Sequence, residues 1–319
     1  MKVVSDPNEL ADRARGVCVA IGVFDGVHVG HQQIIRQTVA DARRRSGLAV
    51  VLTFDRHPSA ILAPERTPPL IQSLSQKLSA IADLGVDAAW LVEFDRAFSQ
   101  QSGETFVRRL ASQLGPLAGV WVGEDFAFGH QRSGNLALLQ ALGVALGFQV
   151  QGVPPVMLEG AAVSSTRIRD AIQAGELELA GRMLGRAYTL AGRVVPGGSL
   201  GKRLGFPTAN LEVTGLALPP TGVYAAWATV AGRRRPAVVN IGRRPTVVQG
   251  EGEIHVEAHL LSGGADLYGQ QMELAFAKRL RAEVKFDSLA ALREQIGRDV
   301  ALARQVLSAP RGPGPLSQA

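Results

Sequence analysis

The sequence predicts a two-domain chain of class α/β plus β: a doubly wound parallel sheet, then a small antiparallel β-barrel closed by a C-terminal helix. Length is the first observation, since 319 residues are about twice the ~150 expected of one domain. Texture is the second. From Val17 to about Gly185, short Val/Ile/Leu/Phe/Trp runs alternate with helical-period segments, the pattern of parallel strands covered by helices on both faces. After Ala187 the runs shorten, Gly and Pro separate them, and one long helical pattern closes the series.

The first domain, residues 1–185, opens on the strand VCVAIGVF (17–24), then the helix HQQIIRQTVADARRR (31–45) and the strand LAVVLTF (48–54). A helix near Ser75 to Leu84 leads to the strand DAAWLVEF (87–94), the helix ETFVRRLASQL (104–114) and the strand GVWVG (119–123). The charge-free stretch from Asn135 to Leu158 is interrupted by Gln140, Gln149, Gln151 and Pro154-Pro155, so it reads as a buried helix and then a strand, not a membrane span. In the second domain, residues 186–308, YTLAGRVV, GVYAAWATVA, PAVVNIG, EIHVEAHLL and QMELAFA are the barrel strands and Ser288 to Leu307 the closing helix. Residues 309–319 carry no core pattern and read as a disordered tail.

Composition narrows the function classes. With 46% hydrophobic and 19% charged residues each half can bury a core, which excludes wholesale disorder. Cys18 is the only cysteine and sits in an apolar run, so an intrachain disulfide framework and a Cys-based zinc site are both excluded, and a reducing compartment fits. The first sixteen residues carry early acids and no apolar run of signal-peptide length, so the expected location is the cytoplasm. The net charge of +6 leans toward anionic partners. It is unevenly spread: residues 1–185 hold 17 Lys+Arg against 18 Asp+Glu, net −1, and residues 186–319 hold 17 against 10, net +7. Arg233, Arg234 and Arg235 raise a nucleic-acid reading, but no zinc-finger spacing, RRM signature or basic-aromatic interleaving supports it, so no nucleic-acid and no membrane partner is expected.

The first candidate site is the strand-to-helix turn GVFDGVHVGH. It places Gly22, Phe24, Asp25, Gly26, His28, Gly30 and His31 at the carboxyl end of the first strand, where open α/β sheets bind ligands and a helix N-terminus offers free N–H groups to phosphate. Histidines three apart there can donate to phosphoryl oxygens and stabilise charge at an α-phosphate. SSTRIRDAI, with Ser164, Ser165, Thr166 and Arg167, reads as a capped helix start, which is also an anion site.

This turn resembles the signature of the bacterial bifunctional riboflavin kinase/FAD synthetases, within the wider HxGH nucleotidyltransferases. TFDRHP (53–58), VGEDFAFGHQRSG (122–134) and SSTRIR (164–169) resemble the same family in order and spacing, although Arg56 stands where the family usually has proline. The resemblance implies a Rossmann-like FMN adenylyltransferase (FAD synthetase) domain in which His28, His31, Ser165, Thr166 and Arg167 grip ATP, and His57, Asp125, Phe126 and Phe128 hold FMN. Attack of the FMN phosphate on the α-phosphate of ATP releases pyrophosphate and needs no protein nucleophile.

The second candidate site is GRVVPGGSLGKRLGFPTAN. It fails the P-loop pattern, because Pro196 stands where the first glycine belongs and Arg203 follows Lys202. It closely resembles the riboflavin kinase signature, which implies that Gly201, Lys202, Gly205, Pro207, Thr208 and Asn210 bind the nucleotide and that Thr208 and Asn210 hold Mg²⁺, for which a hydroxyl and an amide oxygen are suitable hard ligands. EIHVEAHLL alternates strictly, so Ile254, Val256, Ala258 and Leu260 face the core and His255, Glu257 and His259 the other side. By resemblance Glu257 is the base that accepts the riboflavin 5′-hydroxyl proton. A zinc reading of HxExH is weaker, because the metal-binding HExxH relies on the i, i+4 face of a helix. NIGRRPT (240–246), DLYG (266–269) and LRAEVKFDSLAALREQI (280–296) also follow the kinase pattern, and Ser262-Gly263 departs from it. The expectation is an enzyme with both activities. Its cofactors are Mg²⁺ and co-substrate ATP, and its partners are riboflavin, FMN, FAD, ATP, ADP and pyrophosphate; a homo-oligomer is left open.

Overall fold

A computed structural model describes residues 1–10, 15–197, 200–243, 254–262 and 267–308. The chain forms two compact units, residues 1–70 with 74–165, and residues 71–73 with 166 onward.

The first unit contains β1 (Lys2–Val4), β2 (Val17–Ile21), α1 (Val29–Arg44), β3 (Leu48–Phe54), α2 (Ser59–Leu62), α3 (Leu74–Ala82), β4 (Ala88–Val92), α4 (Arg96–Ser99), α5 (Gly103–Leu114), β5 (Leu117–Gly123), α6 (Leu136–Leu146), β6 (Gln149–Val153) and the hairpin β7 (Met157–Leu158) and β8 (Ala161–Ala162). Its main sheet is parallel, in the order β1-β4-β3-β2-β5-β6. β2 and β3 are central, so their side chains are buried on both faces. Val17, Val19 and Ile21 enter one core with Leu110 of α5 and Leu139 of α6, and Cys18 and Ala20 enter the other with Ile35 of α1 and Ile81 of α3. Full burial of each such Leu or Ile contributes about 1.5–3 kcal/mol. This is why both strands read as unbroken apolar runs.

Helix α7 (Ser165–Ala174) begins at the boundary between the units. The second unit continues with α8 (Leu177–Leu184), β9 (Thr189–Val195), α9 (Leu200–Leu204), β10 (Ala209–Glu212), β11 (Gly222–Val230), β12 (Arg233–Arg243), β13 (Ile254–Leu260), β14 (Gln271–Arg281) and α10 (Leu289–Ser308). The strands close an antiparallel barrel in the order β10-β13-β12-β11-β14-β9. Tyr224, Ala226, Ala228 and Val230 of β11 point into the barrel core, while Val223 and Ala225 pack outward with Ala303 of α10. The closing helix thus covers one flank of the barrel.

Three details differ from the sequence reading. β2 ends at Ile21 rather than Phe24, because Phe24 and Val27 take positive φ of 51° and 40° and turn the chain into a loop. α9 and β10 lie within the glycine loop and PTAN, whose polar, glycine-rich sequence has neither helical nor strand periodicity. The compact units part at Ser165, ahead of the composition shift at residue 186, because helices such as α8 join the barrel unit: Leu177 packs against the barrel core. The tail expected at 309–319 lies outside the described residues, as do Gly198 and Ser199 of the glycine loop, Arg244 to Thr246, Gly263 and Asp266.

Two candidate active sites

The first site sits at the carboxyl ends of β2 and β3. Gly22 passes directly against Phe24, where a Cβ would stand 2.9 Å from the ring, so a larger residue would push the loop off the sheet. The loop then delivers His28 as the N-cap of α1, its Nδ1 accepting the His31 N–H at 3.3 Å. An accepting Nδ1 in the neutral ring puts the proton on Nε2, which is then a donor. The two imidazoles stack with centroids 3.5 Å apart, and Phe24 meets His31 edge-on at 5.2 Å. Burial, with the neighbouring His28 and Lys77, holds the His31 pKa well below its usual 6.5, so this ring is neutral at physiological pH, and its Nδ1 has no hydrogen-bond partner among the described residues. Asp25 and His28 are 5% and 6% exposed. Ser165 closes the loop from the far side, its hydroxyl donating to the Asp25 carbonyl at 2.9 Å.

Beside this loop lies a cavity of about 430 Å³ walled by Phe54, Phe94, Phe98, Phe106, Phe126 and Phe128, with Gln101 and His130 among its polar lining. The rings form a continuous chain of contacts, with Phe126 and Phe128 stacked at 5.1 Å. An aromatic slot of this size suits a flat, largely apolar ring system.

The second site lies on the barrel. Glu257 of β13 is paired in register with Asn210 of β10 on one side and Asn240 of β12 on the other, so the three side chains share one face. Thr208 donates its hydroxyl to Glu257 at 3.3 Å. His259 lies 2.8 Å from the Pro207 carbonyl through Nδ1 and fixes the approach to Thr208. Thr208, Asn240, Glu257 and His259 line a cavity of about 440 Å³ whose far wall includes Arg281 and Asp299. Arg281 grips Asp299 through two nitrogens, at 2.8 to 3.1 Å, and so ties α10 to β14. The oxygen donors Thr208, Asn210 and Glu257 fit a hard divalent cation. Among the described residues no group of three or more His, Cys, Asp or Glu could hold a metal alone, so such a cation would need phosphate oxygens and water to complete its shell.

The FAD synthetase family matches residues 10–167, and the riboflavin kinase family matches residues 184–307. A bifunctional riboflavin kinase/FMN adenylyltransferase of Pseudomonas fluorescens is 38% identical over 97% of this chain and 99% of its own. The chain belongs to the bifunctional riboflavin kinase/FMN adenylyltransferase family. Its relative of the same description in Escherichia coli strain K12 is 36% identical over 96% of this chain and 97% of its own. A solved structure described as a macrolide-efflux protein from Streptococcus pneumoniae superposes with a TM-score of 0.80 at 28% identity, covering 95% of this chain and 98% of that one. That description belongs to that protein; among the described residues here, no helix is long and apolar enough to cross a membrane.

Within this family member, the expected residues gather unevenly. Gly22, Phe24, Asp25, Gly26, His28, Gly30 and His31 share one loop and helix start, with Ser165 bonded to it. Ser164 precedes α7, and Thr166 and Arg167 form its first turn, in the second unit. Phe126 and Phe128 line the aromatic cavity. His57 and Asp125 do not: the His57 Nδ1 accepts the Ser59 N–H at 3.2 Å, and Asp125 is exposed. In the flavokinase half, Gly201, Thr208 and Glu257 line one cavity, with Asn210 on the same face as Glu257, while Lys202, Gly205 and Pro207 are exposed. Sequence reasoning missed Asn240, Arg281 and Asp299 as site residues, and also Phe94, Phe98 and Phe106, because they come from elements that only the fold brings together.

Proposed function

We propose that this chain phosphorylates riboflavin to FMN with ATP, and then transfers AMP from ATP to FMN, giving FAD and pyrophosphate. Residues 1–185 carry the second reaction and residues 186–308 the first. The observation that carries the reading is that each half has its own built site of matching chemistry. Stacked histidines at a helix N-terminus lie beside an aromatic slot in one, and a carboxylate held by a hydroxyl faces a cavity in the other.

In the adenylyl transfer an FMN phosphate oxygen bonds to the α-phosphorus of ATP and the bond to pyrophosphate breaks. His28 donates from Nε2 to the phosphoryl oxygens, and the neutral His31 ring and the α1 N-terminus line the same place. Ser165, Thr166 and Arg167 hold the nucleotide, while Phe126, Phe128 and the rings beside them hold the flavin. In the phosphoryl transfer, Glu257 takes the proton of the riboflavin 5′-hydroxyl as that oxygen attacks the γ-phosphorus and ADP leaves. Thr208 orients the carboxylate. Mg²⁺, held by Thr208 and Asn210 with ATP oxygens, would neutralise charge on the phosphates. The partners are small molecules and no nucleic acid, and the location is the cytoplasm.

Incubation of the protein with riboflavin, ATP and Mg²⁺, followed by chromatographic separation of the flavins, tests this. FMN forming first and FAD after it is the expected result, and the absence of both refutes the reading.

A further inference from the structure

We infer that Lys77 is a positioning residue for adenylyl transfer: its ammonium ties the loop carrying His28 and His31 to the loop that begins at the Phe54 wall of the aromatic cavity. The inference rests on the proposed assignment of that reaction to the first half of the chain. Lys77 lies on α3 one turn before the core residue Ile81, at a position where helical spacing calls for an apolar side chain, and it is only 8% exposed. A lysine buried there is costly unless each ammonium proton meets an acceptor. All three do. Nζ lies 2.8 Å from the Phe54 carbonyl, 3.3 Å from the Val23 carbonyl and 3.3 Å from the Thr53 hydroxyl, which itself donates to the Val23 carbonyl at 3.0 Å.

These acceptors mark where two neighbouring parallel strands run out. The last residue pair in the β2–β3 ladder is Ile21 with Leu52; beyond it Val23 enters its loop, and Phe54 ends β3, held in the sheet only by β4. Lys77 supplies the link that the ladder no longer can. Val23 and Phe54 both line the aromatic cavity, and Val23 leads into the histidine loop, so one side chain sets the spacing between the flavin wall and the phosphate site. In-line attack depends on that spacing, and a misplacement of about 1 Å can cost on the order of 10²-fold in rate.

The charges around Lys77 agree with this role. Burial disfavours its charged form and outweighs the support of Asp25 in one loop and Asp55 in the other, bringing its pKa down from 10.5 to about 8. His31, which feels the Lys77 charge, is the other titratable group facing it. Once Lys77 loses a proton, two N–H groups remain for three acceptors.

The test uses the full chain with Lys77→Met, which keeps the stem and removes the donors. FAD formation from FMN and ATP is expected to fall by about 10²-fold in kcat/KM, with FMN formation from riboflavin unchanged in the same sample. The wild-type kcat/KM for adenylyl transfer, which reports the free enzyme, should decline above about pH 8, and Lys77→Met should lack that decline. Lys77→Arg, charged at every pH, should recover part of the rate, also without the decline. Unchanged adenylyl transfer in Lys77→Met overturns the inference. So does an alkaline decline retained in both variants. If Lys77→Met does not fold, the pH profile of Lys77→Arg decides. His28→Ala serves as the separate control: if it leaves FAD formation intact, it is the assignment of the reaction to the first half that fails.

Discussion

Thr208 and Glu257 hold each other in the barrel site: the threonine hydroxyl donates to the carboxylate at 3.3 Å from the loop just before β10, whose Asn210 pairs with Glu257 in the ladder. Loss of the hydroxyl therefore disturbs both the base and the proposed cation ligands. Thr208→Val should lower kcat/KM for riboflavin phosphorylation by about 10²-fold and raise the Mg²⁺ concentration needed. Thr208→Ser should restore most of both. Steady-state kinetics across a Mg²⁺ series checks this, with adenylyl transfer unchanged in the same samples.

Gly201 packs where no side chain fits. A Cβ there would lie 2.5 Å from the Phe206 carbonyl and 3.1 Å from the Thr208 hydroxyl, and the loop cannot yield freely because the Phe206 N–H donates to the Gly201 carbonyl at 2.8 Å. Gly201→Ala should cost about 1–3 kcal/mol of barrel stability and raise the KM for ATP in the kinase reaction only. Thermal unfolding and initial rates read both.

Asp299 is 3% exposed and accepts from Arg281 and, at 2.9 Å, from Gln295. Asp299→Ala leaves the Arg281 charge without its partner beside the cavity. The expected loss is about 3 kcal/mol, at the low end of the usual range because Arg281 keeps some water contact, and the KM for riboflavin should rise as α10 loosens. Denaturant unfolding and flavin titration measure the two effects.

His31 makes the first half sensitive to acid. Its folded pKa lies well below 6.5, so between those values the unfolded chain binds the extra proton, and stability falls as pH drops below 6.5. The carboxyl of Asp41, held low by the hydrogen-bonded Arg45 and Arg44 against the opposing effect of burial, acts only below about 3.8, so its window is separate. His31→Gln should flatten the decline in Tm between pH 6.5 and 5. An equal decline in wild type and variant would refute the assignment.

The sequence made some of this legible for physical reasons. β2 and β3 are buried on both faces, so their apolar runs stand out, and the alternation of β13 correctly puts Val256 and Ala258 inside and Glu257 on the site face. Local motifs placed His28, His31, Thr208 and Glu257 because each depends on a turn or a short strand. Lys77 was hidden, since a lysine on a helix reads as solvent-facing until two loops are seen to converge on it. Asn240 was hidden inside the apolar run PAVVNIG, and its meaning comes from cross-strand pairing with Glu257. The aromatic slot draws on rings from Phe54 to Phe128, which no local window contains.

The division of labour is tested most directly by giving Glu257→Gln and His28→Ala variants riboflavin, ATP and Mg²⁺, first separately and then mixed. Glu257→Gln alone should make neither FMN nor FAD from riboflavin yet convert added FMN to FAD. His28→Ala alone should stop at FMN, and the mixture should make FAD. Loss of both steps in either variant, or a mixture that fails to make FAD, would contradict two separate sites on one chain.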